Sequence, residues 1–165
     1  MDFLKGTGVA IITPFKKNGE IDFNAYELLI DYYINNGINY LVILGTTGES
    51  HSISFEEKDK ILKAVVKFNK GRLPLIVGFG ANNTQKLVNE LSNFELKSFS
   101  AVLSVCPYYN KPSQVGLYEH FFHVSKASPI PLILYDVPSR TGVSISNETI
   151  FKLLEKCDNI IGIKD

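Results

Sequence analysis

Short apolar runs alternate along the chain with longer segments in which apolar residues recur at every third or fourth position. The runs are rich in β-branched residues, and short runs without a helical period are typical of strands buried on both faces. They lie at residues 8–15, 40–44, 74–77, 101–105, 131–135 and 160–164. The pattern therefore predicts six buried strands.

The segments between the runs are predicted to be helices, and each begins near a residue that can cap a helix. Asp22 is expected to cap a helix that extends to about Asn36, and Ser54 with Glu57 forms a capping box. The other expected caps are Asn83 or Thr84, Ser113 and Ser146. The predicted apolar faces comprise Tyr26, Leu29, Ile30, Tyr33, Ile34, Ile61, Leu62, Val65, Phe68, Leu87, Val88, Leu91, Leu117, Phe121, Val124, Ile150, Leu153 and Leu154. Each helix is thus expected to pack one face on the sheet.

Strict alternation of strand and helix, repeated about every 26 to 34 residues, predicts an α/β fold with a parallel sheet covered by helices. Such a sheet can stay open and doubly wound or close into a (β/α)₈ TIM barrel. The chemically unusual residues fall near the carboxyl ends of four different strands: Thr46, Tyr109, Tyr135 and Lys164. Barrel enzymes build their sites there, whereas an open sheet concentrates its site at one switch point. The barrel is therefore favoured.

The length of the chain limits this prediction. A barrel of this class needs eight strands and about 200 residues or more, whereas the chain has 165 residues and six predicted strands. We expect residues 1–165 to form one partial barrel domain that ends after the sixth strand. Two alternatives stay open: a fragment of a longer polypeptide, or a piece that assembles with the missing part.

Composition excludes several classes of protein. The 17 basic and 17 acidic side chains balance and are dispersed, so nothing indicates a nucleic acid or an anionic membrane as partner. The first residues lack the pattern of a secretion signal, and no run reaches the length of a membrane span. Cys106 and Cys157 are interpreted as reduced thiols of a cytoplasmic protein. No metal is expected, since His51, His120 and His123 show no metal-ligand spacing.

Lys164 lies at the end of the sixth apolar run. A lysine that leaves the buried end of a strand is desolvated, and desolvation lowers the pKa of an ammonium group toward neutrality. Those properties suit a nucleophile that forms a Schiff base with a carbonyl substrate. The ordinary alternative is a lysine that extends from the strand into solvent.

The other candidate residues also have ordinary interpretations when taken singly. The loop at residues 45–50 could present N–H and hydroxyl groups to an anion, but it is equally a tight turn. Tyr135 ends a strand and could be a core tyrosine that needs a hydrogen-bond partner. Tyr109 could be a surface or interface aromatic, and Arg140 either a solvated side chain or a ligand for a carboxylate.

Together, five motifs are far more specific than any of these residues alone. They are GVAIITPF, GTTGES, PYYNKPSQVGLYEHF, YDVPSRTG and GIKD, in this order. The chain resembles, over its whole length, the first half to two thirds of the dihydrodipicolinate synthase family. That family belongs to the pyruvate-dependent class I aldolases and lyases, which include N-acetylneuraminate lyase. The paired tyrosines before Asn-Lys-Pro and the Pro-Ser-Arg-Thr-Gly motif favour the synthase.

The resemblance implies that Lys164 forms a Schiff base with pyruvate, and that the resulting enamine attacks the aldehyde of aspartate semialdehyde. It further implies a proton relay of Tyr135, Thr46 and Tyr109, with Tyr109 reaching into a neighbouring subunit. Thr46 and Thr47 match the positions that hold the pyruvate carboxylate, and Arg140 matches the position that holds the semialdehyde carboxylate. The resemblance also implies no cofactor, and a homo-oligomer built as a dimer of dimers.

Two alternatives stay open: a lyase that cleaves a sugar-acid adduct of pyruvate, and an inactive half-barrel that acts only in binding or structure. Many members of the family are inhibited by lysine at an interface site. Asn82 and Tyr108 match that site, but Phe55 replaces its histidine and Lys86 its glutamate. Because a cation in place of an acid repels the ammonium group of lysine, feedback is expected to be weak or absent. Asp136 also replaces the asparagine that is common before Val-Pro-Ser-Arg-Thr-Gly.

Overall fold

The structure is a computed structural model that describes residues 2–165. Within that range the strands are β1 Gly8–Ala10, β2 Tyr40–Ile43, β3 Leu75–Phe79, β4 Ala101–Val105, β5 Leu132–Tyr135 and β6 Ile160–Lys164. The α-helices are α1 Phe23–Asn35, α2 Phe55–Asn69, α3 Thr84–Asn93, α4 Gln114–Ala127, α5 Pro138–Thr141 and α6 Asn147–Leu154. Short 3₁₀ turns cover Asp2–Leu4 and Ser50–Ser52. Every predicted strand and helix is therefore present.

The chain divides into two compact units, one of residues up to 78 with 98–100 and one of residues 79–97 with 101–165. In the first unit, β1 pairs in parallel with β2, and β2 with β3. In the second unit, β4 pairs in parallel with β5, and β5 with β6. In each unit the strands follow one another in the order of the sequence, which confirms the predicted parallel βα arrangement.

The predicted helix caps explain where the helices begin. The Asp22 carboxylate accepts a hydrogen bond from the Ala25 N–H at 3.0 Å. At α2, Ser54 accepts from the Glu57 N–H at 3.3 Å, and Glu57 accepts from the Ser54 N–H at 2.9 Å, so the capping box is complete. The caps of α3, α4 and α6 are Asn83, Ser113 and Ser146. These side chains satisfy N–H groups that have no partner inside the helix.

Each unit has its own apolar core. In the first unit the fully buried side chains include Ile11, Tyr26, Ile30, Leu41, Ile61 and Val65. In the second unit they include Leu87, Leu91, Phe121, Val124, Leu134 and Leu153. Most of these positions belong to the predicted apolar faces of the helices. Leu154 was also predicted to lie on such a face, but it is 44% exposed. No helix of residues 2–165 is both long enough and apolar enough to cross a lipid bilayer.

Several local predictions were wrong. The third strand extends to Phe79 and does not end at Val77. The first strand ends at Ala10 and not at Phe15. The Ile11 N–H still donates to the Val42 carbonyl at 3.0 Å, but Phe15 bridges Ile21 in antiparallel fashion and no longer pairs with β2. Residues Pro138–Thr141, predicted as loop, form one helical turn because proline presets the first helical φ. The sixth strand is buried only at its start, and Ile163 is 43% exposed, because within residues 2–165 β6 has a neighbour, β5, on one side only.

Candidate active site

Lys164 and Tyr135 lie side by side at the carboxyl ends of β6 and β5. They are register partners in the parallel ladder, so both side chains leave the same face of the sheet. The Lys164 Nζ atom lies 4.0 Å from the centroid of the Tyr135 ring. A cation over an aromatic face at this distance is attracted by the quadrupole of the ring. The structure thus brings together two of the residues predicted for the site.

Backbone hydrogen bonds fix the register of these two strand ends. The Cys106 N–H donates to the Tyr135 carbonyl at 3.0 Å, and the Asp136 N–H donates to the Lys164 carbonyl at 2.9 Å. Because each residue is held by the residue that follows a neighbouring strand, the register cannot slip without breaking the ladder. The backbone positions from which the amine and the phenol extend are therefore fixed.

Lys164 is exposed in this chain, whereas the strand that carries it was predicted to be buried. Tyr135 is half-buried. Residues 2–165 place the phenol ring beside the amine, but they do not enclose the amine in an apolar pocket. The desolvation expected to make Lys164 nucleophilic stays a prediction.

Tyr109 lies in the loop after β4, in an unusual backbone conformation. Its φ is 70°, and φ of Lys111 is 49°, both in the left-handed region that costs side-chain-bearing residues free energy. The Asn110 N–H donates to the Tyr108 carbonyl at 2.8 Å across this turn. The Tyr109 side chain is 87% exposed. The strained turn thus holds an aromatic side chain outward in solvent.

Arg140 is also exposed, and it lies on the single turn of α5. The helix ends at Gly142, whose φ of 74° is one that glycine adopts readily. The adjacent Thr141 is buried, and its hydroxyl donates to the Val143 carbonyl at 2.8 Å. A buried threonine therefore anchors the turn that displays the guanidinium.

Thr46 and Thr47 belong to the first unit, in a tight loop after β2. Both side chains are exposed, whereas the next residue, Gly48, is buried. The Gly48 N–H donates to the Gly45 carbonyl at 3.0 Å, and the Glu49 N–H donates to the Thr46 carbonyl at 3.1 Å. The loop therefore folds on itself and displays the two threonine hydroxyls.

A buried threonine that the sequence did not reveal holds this loop in place. The Thr13 hydroxyl donates to the Gly48 carbonyl at 2.7 Å. Just before the loop, Leu44 has φ of 56°, and a Cβ at Gly78 would lie 2.3 Å from the Leu44 carbonyl oxygen. Glycine is therefore required at position 78, because its backbone contacts the strained entry to the loop. The only sequence signal for Thr13 was its place in the GVAIITPF motif.

Asp136 follows Tyr135 and precedes the turn that carries Arg140. Its structural role was not predicted from the sequence. Its carboxylate is buried and accepts hydrogen bonds from the Ser144 hydroxyl at 2.5 Å and the Ile145 N–H at 3.2 Å. The Cys106 thiol donates to the same carboxylate at 3.6 Å. Burial of a carboxylate is tolerated when donors surround it, as they do here.

We expect Cys106 to resist alkylation in the folded protein. Burial, reinforced by the Asp136 charge, raises the pKa of the Cys106 thiol to about 12, so the thiolate fraction at pH 8 is about 10⁻⁴. Iodoacetamide at pH 8 should therefore label Cys106 only after denaturation, as mass spectrometry of a Cys157→Ser variant would show. Full labelling of the native variant would contradict this expectation.

The histidines form no metal centre in this structure. His120 is buried, its Nδ1 lies 2.8 Å from the Thr84 hydroxyl, and burial lowers its pKa to about 4. Among residues 2–165 no group of three or more His, Cys, Asp or Glu side chains could hold a metal ion. His120 is thus best explained as a neutral core residue that ties α4 to α3.

Comparison with known proteins assigns the fold and the family. The sequence model of the dihydrodipicolinate synthetase family matches residues 3–165. The chain is 51% identical over 160 residues to the 4-hydroxy-tetrahydrodipicolinate synthase of Flavobacterium psychrophilum, covering 97% of the chain and 55% of that relative. The chain thus spans about half the length of the curated relatives it matches.

Solved structures agree. The crystal structure of dihydrodipicolinate synthase from Aquifex aeolicus is 44% identical, with a TM-score of 0.91 over 97% of this chain and 54% of that one. A monomeric dihydrodipicolinate synthase variant is 42% identical, with a TM-score of 0.91 over 97% of this chain and 53% of that one. The α/β class and the TIM barrel are confirmed, and this chain supplies six strands of the barrel. The chain belongs to the dihydrodipicolinate synthetase family.

Proposed function

We propose that the protein is a Schiff-base lyase that condenses pyruvate with L-aspartate 4-semialdehyde to give 4-hydroxy-tetrahydrodipicolinate. This reaction would place it in the diaminopimelate and lysine biosynthesis pathway, in the cytoplasm. The observation that carries the proposal is the Lys164 amine, held 4.0 Å from the Tyr135 ring centroid at adjacent strand ends. The names of the relatives support the same reaction.

The first half of the reaction builds a carbon nucleophile. The Lys164 amine gives up a proton and attacks the ketone carbon of pyruvate, and the adduct loses water to give an iminium ion. The iminium withdraws electrons from the neighbouring methyl group, which loses a proton to give an enamine. No metal or organic cofactor is proposed, because the lysine itself supplies the electron sink.

The second half forms the ring. The enamine carbon attacks the aldehyde carbon of the semialdehyde, and the aldehyde oxygen gains a proton to become the 4-hydroxyl group. The amine of the bound semialdehyde then attacks the iminium carbon and displaces the lysine. One water is lost overall, in the first step, and Lys164 is regenerated.

Each of these steps moves a proton, so the site needs groups that both donate and accept. We assign Tyr135 as the central donor and acceptor, Thr46 as its hydroxyl partner, and Tyr109 as a relay residue supplied to a neighbouring subunit. The 87% exposure of Tyr109 and its strained backbone support this last role. The assembly proposed on this basis is a homo-oligomer, a dimer of dimers, although one relative is a monomeric variant.

Substrate carboxylates would be bound by two loops. Thr46 and Thr47 display hydroxyls suited to the pyruvate carboxylate, and Arg140 displays a planar guanidinium suited to the semialdehyde carboxylate. The paired Tyr108 and Tyr109 and the arginine disfavour a sugar-acid lyase. Measuring which aldehyde consumes pyruvate tests this choice: aspartate semialdehyde should do so, and consumption only with a sugar such as N-acetylmannosamine would contradict the proposal.

Replacing Arg140 with alanine should weaken binding of the semialdehyde without affecting pyruvate. Loss of a charge-assisted hydrogen bond costs about 1.5–3 kcal/mol, so the KM for aspartate semialdehyde should rise about 10- to 100-fold. Steady-state kinetics with each substrate varied in turn would measure this effect. Arg140→Lys is the matched control and should recover only part of the affinity, because an ammonium cannot bind a carboxylate in bidentate fashion. An equal rise in the KM for pyruvate would contradict the assignment.

We also expect L-lysine to be a weak effector. Phe55 lies in the first turn of α2 and is 42% exposed, and Lys86 lies exposed in the first turn of α3. Neither offers the acidic or imidazole group expected at a lysine site. Condensation should therefore be unaffected by sub-millimolar lysine, and a Phe55→His/Lys86→Glu variant should gain sensitivity. Inhibition of the unmodified protein at those concentrations would overturn this prediction.

A further inference from the structure

The segment between β5 and α6 begins at a buried carboxylate and returns to it. Asp136, which is 5% exposed, accepts from the Ser144 hydroxyl at 2.5 Å and the Ile145 N–H at 3.2 Å through one carboxylate oxygen. Its other oxygen accepts from the Cys106 thiol, at the end of β4. Residues 136–146, here called the Arg140 loop, are thus joined at their two ends to each other and to the end of β4.

A second side chain, that of Gln114, binds the same segment. Gln114, the first residue of α4, donates through its amide nitrogen to the Ser144 carbonyl at 2.8 Å. Its amide oxygen accepts from the Ser146 N–H at 2.9 Å and from the Thr149 hydroxyl at 2.8 Å. Because the Ser146 N–H can only donate, the orientation of the glutamine amide is fixed. Gln114 belongs to the PYYNKPSQVGLYEHF motif, but no role was predicted for it from the sequence.

The part of the loop held between these contacts is short and has little stability of its own. Its helix α5 has four residues, far fewer than an isolated helix needs in water. Lys111 packs against this segment, since a Cβ at Gly142 would lie 2.8 Å from its Cε atom. The place of Arg140 therefore depends on the buried Thr141 within the turn and on what anchors residues 144–146.

We propose that Asp136 and Gln114 clamp Ser144–Ser146 and thereby position the Arg140 guanidinium for the carboxylate of the aldehyde substrate. Both are positioning residues that act through Arg140. The assignment of a substrate to Arg140 rests on the proposed function, whereas the clamp itself rests on the hydrogen bonds above.

The test compares Asp136→Ala and Gln114→Ala with the conservative variant Asp136→Asn. An asparagine still accepts from the Ile145 N–H, and its amide can pair with the Ser144 hydroxyl, which donates or accepts. We expect Asp136→Ala to raise the KM for aspartate semialdehyde about tenfold, while kcat and the borohydride-trapped pyruvyl adduct stay within about twofold. Asp136→Asn should restore KM to within about threefold of the unmodified protein.

Coupling to Arg140 separates positioning from general destabilisation. In an Arg140→Ala background the Asp136→Ala change should add less than about twofold to KM, because the group that it positions is gone. Full additivity, or an unchanged KM in both alanine variants, would overturn the proposal. So would an adduct yield that falls in step with the rise in KM.

Hydrogen exchange gives a readout that needs no activity. Amides of residues 137–146 should exchange about tenfold faster in either alanine variant than in the unmodified protein, with amides of β5 unchanged. If the unmodified protein formed no pyruvyl adduct, the proposed function would fail, and exchange would still decide the clamp. The Gln114 side chain is exposed at the start of α4, so Gln114→Ala is expected to fold even if Asp136→Ala does not. Unchanged exchange in Gln114→Ala would refute the clamp.

Discussion

Replacing Lys164 with arginine is expected to abolish condensation, with kcat reduced on the order of 10³-fold or more. Arginine keeps a positive charge that can lie over the Tyr135 ring, but its guanidinium stays protonated and cannot form a Schiff base with pyruvate. The substitution therefore removes the nucleophile and preserves the cation–π contact seen at 4.0 Å. Steady-state condensation kinetics would measure the loss.

The matched control for this variant is Lys156→Arg, at an exposed position shortly before β6. It makes the same chemical change in the same part of the chain and should leave kcat within about twofold of the unmodified protein. If Lys164→Arg kept more than a tenth of the activity, covalent catalysis by Lys164 would be ruled out. Equal losses in both variants would indicate damage to the fold.

The second large effect is expected from Tyr135→Phe. This change removes only the hydroxyl and leaves the ring beside Lys164, so packing and the cation–π contact persist. Loss of a proton-transfer group lowers rates by about 10²- to 10⁴-fold, and we expect kcat to fall within that range while the thermal unfolding midpoint stays the same. Kinetics together with thermal unfolding would measure both quantities.

Tyr118→Phe is the control, since Tyr118 is a half-buried tyrosine of α4 that stacks on Phe122 with ring centroids 6.0 Å apart. It should keep full activity, because the substitution removes a hydroxyl that has no place in the proposed relay. A decrease of less than about threefold in Tyr135→Phe would remove Tyr135 from that relay.

Features set by neighbouring residues were predictable from the sequence. Asp22, Ser54, Ser113 and Ser146 all cap helices, because a cap depends on a side chain and an N–H only a few residues apart. The strands were equally clear as apolar runs. The placement of Lys164 and Tyr135 at one edge of the sheet followed from the rule that parallel strands bring their carboxyl ends to the same edge.

Features set by distant residues were not predictable. The bond from Thr13 to Gly48 joins residues 35 apart in sequence, and the bond from Gln114 to Ser144 joins residues 30 apart. No local pattern marks such pairs, so the supports of the Thr46 and Arg140 loops were missed.

Backbone conformation and burial also depended on tertiary context. Leu44 and Tyr109 adopt positive φ values that sequence assigns to glycine or asparagine. The prediction that β6 is buried was wrong, because an apolar run shows that a strand can be buried but does not show which neighbours cover it. The side chain of Ile163 shows the difference, since it is apolar and 43% exposed.

The most direct test of the central claim is the mass of the protein after incubation with pyruvate and borohydride, with peptide mapping of any adduct. Borohydride reduces the iminium and makes the bond between lysine and pyruvate permanent. We expect one reduced pyruvyl group per chain, located on Lys164 and absent from the Lys164→Arg variant. An unmodified mass, or an adduct on another lysine, would contradict the account and leave membership of the family as ancestry alone.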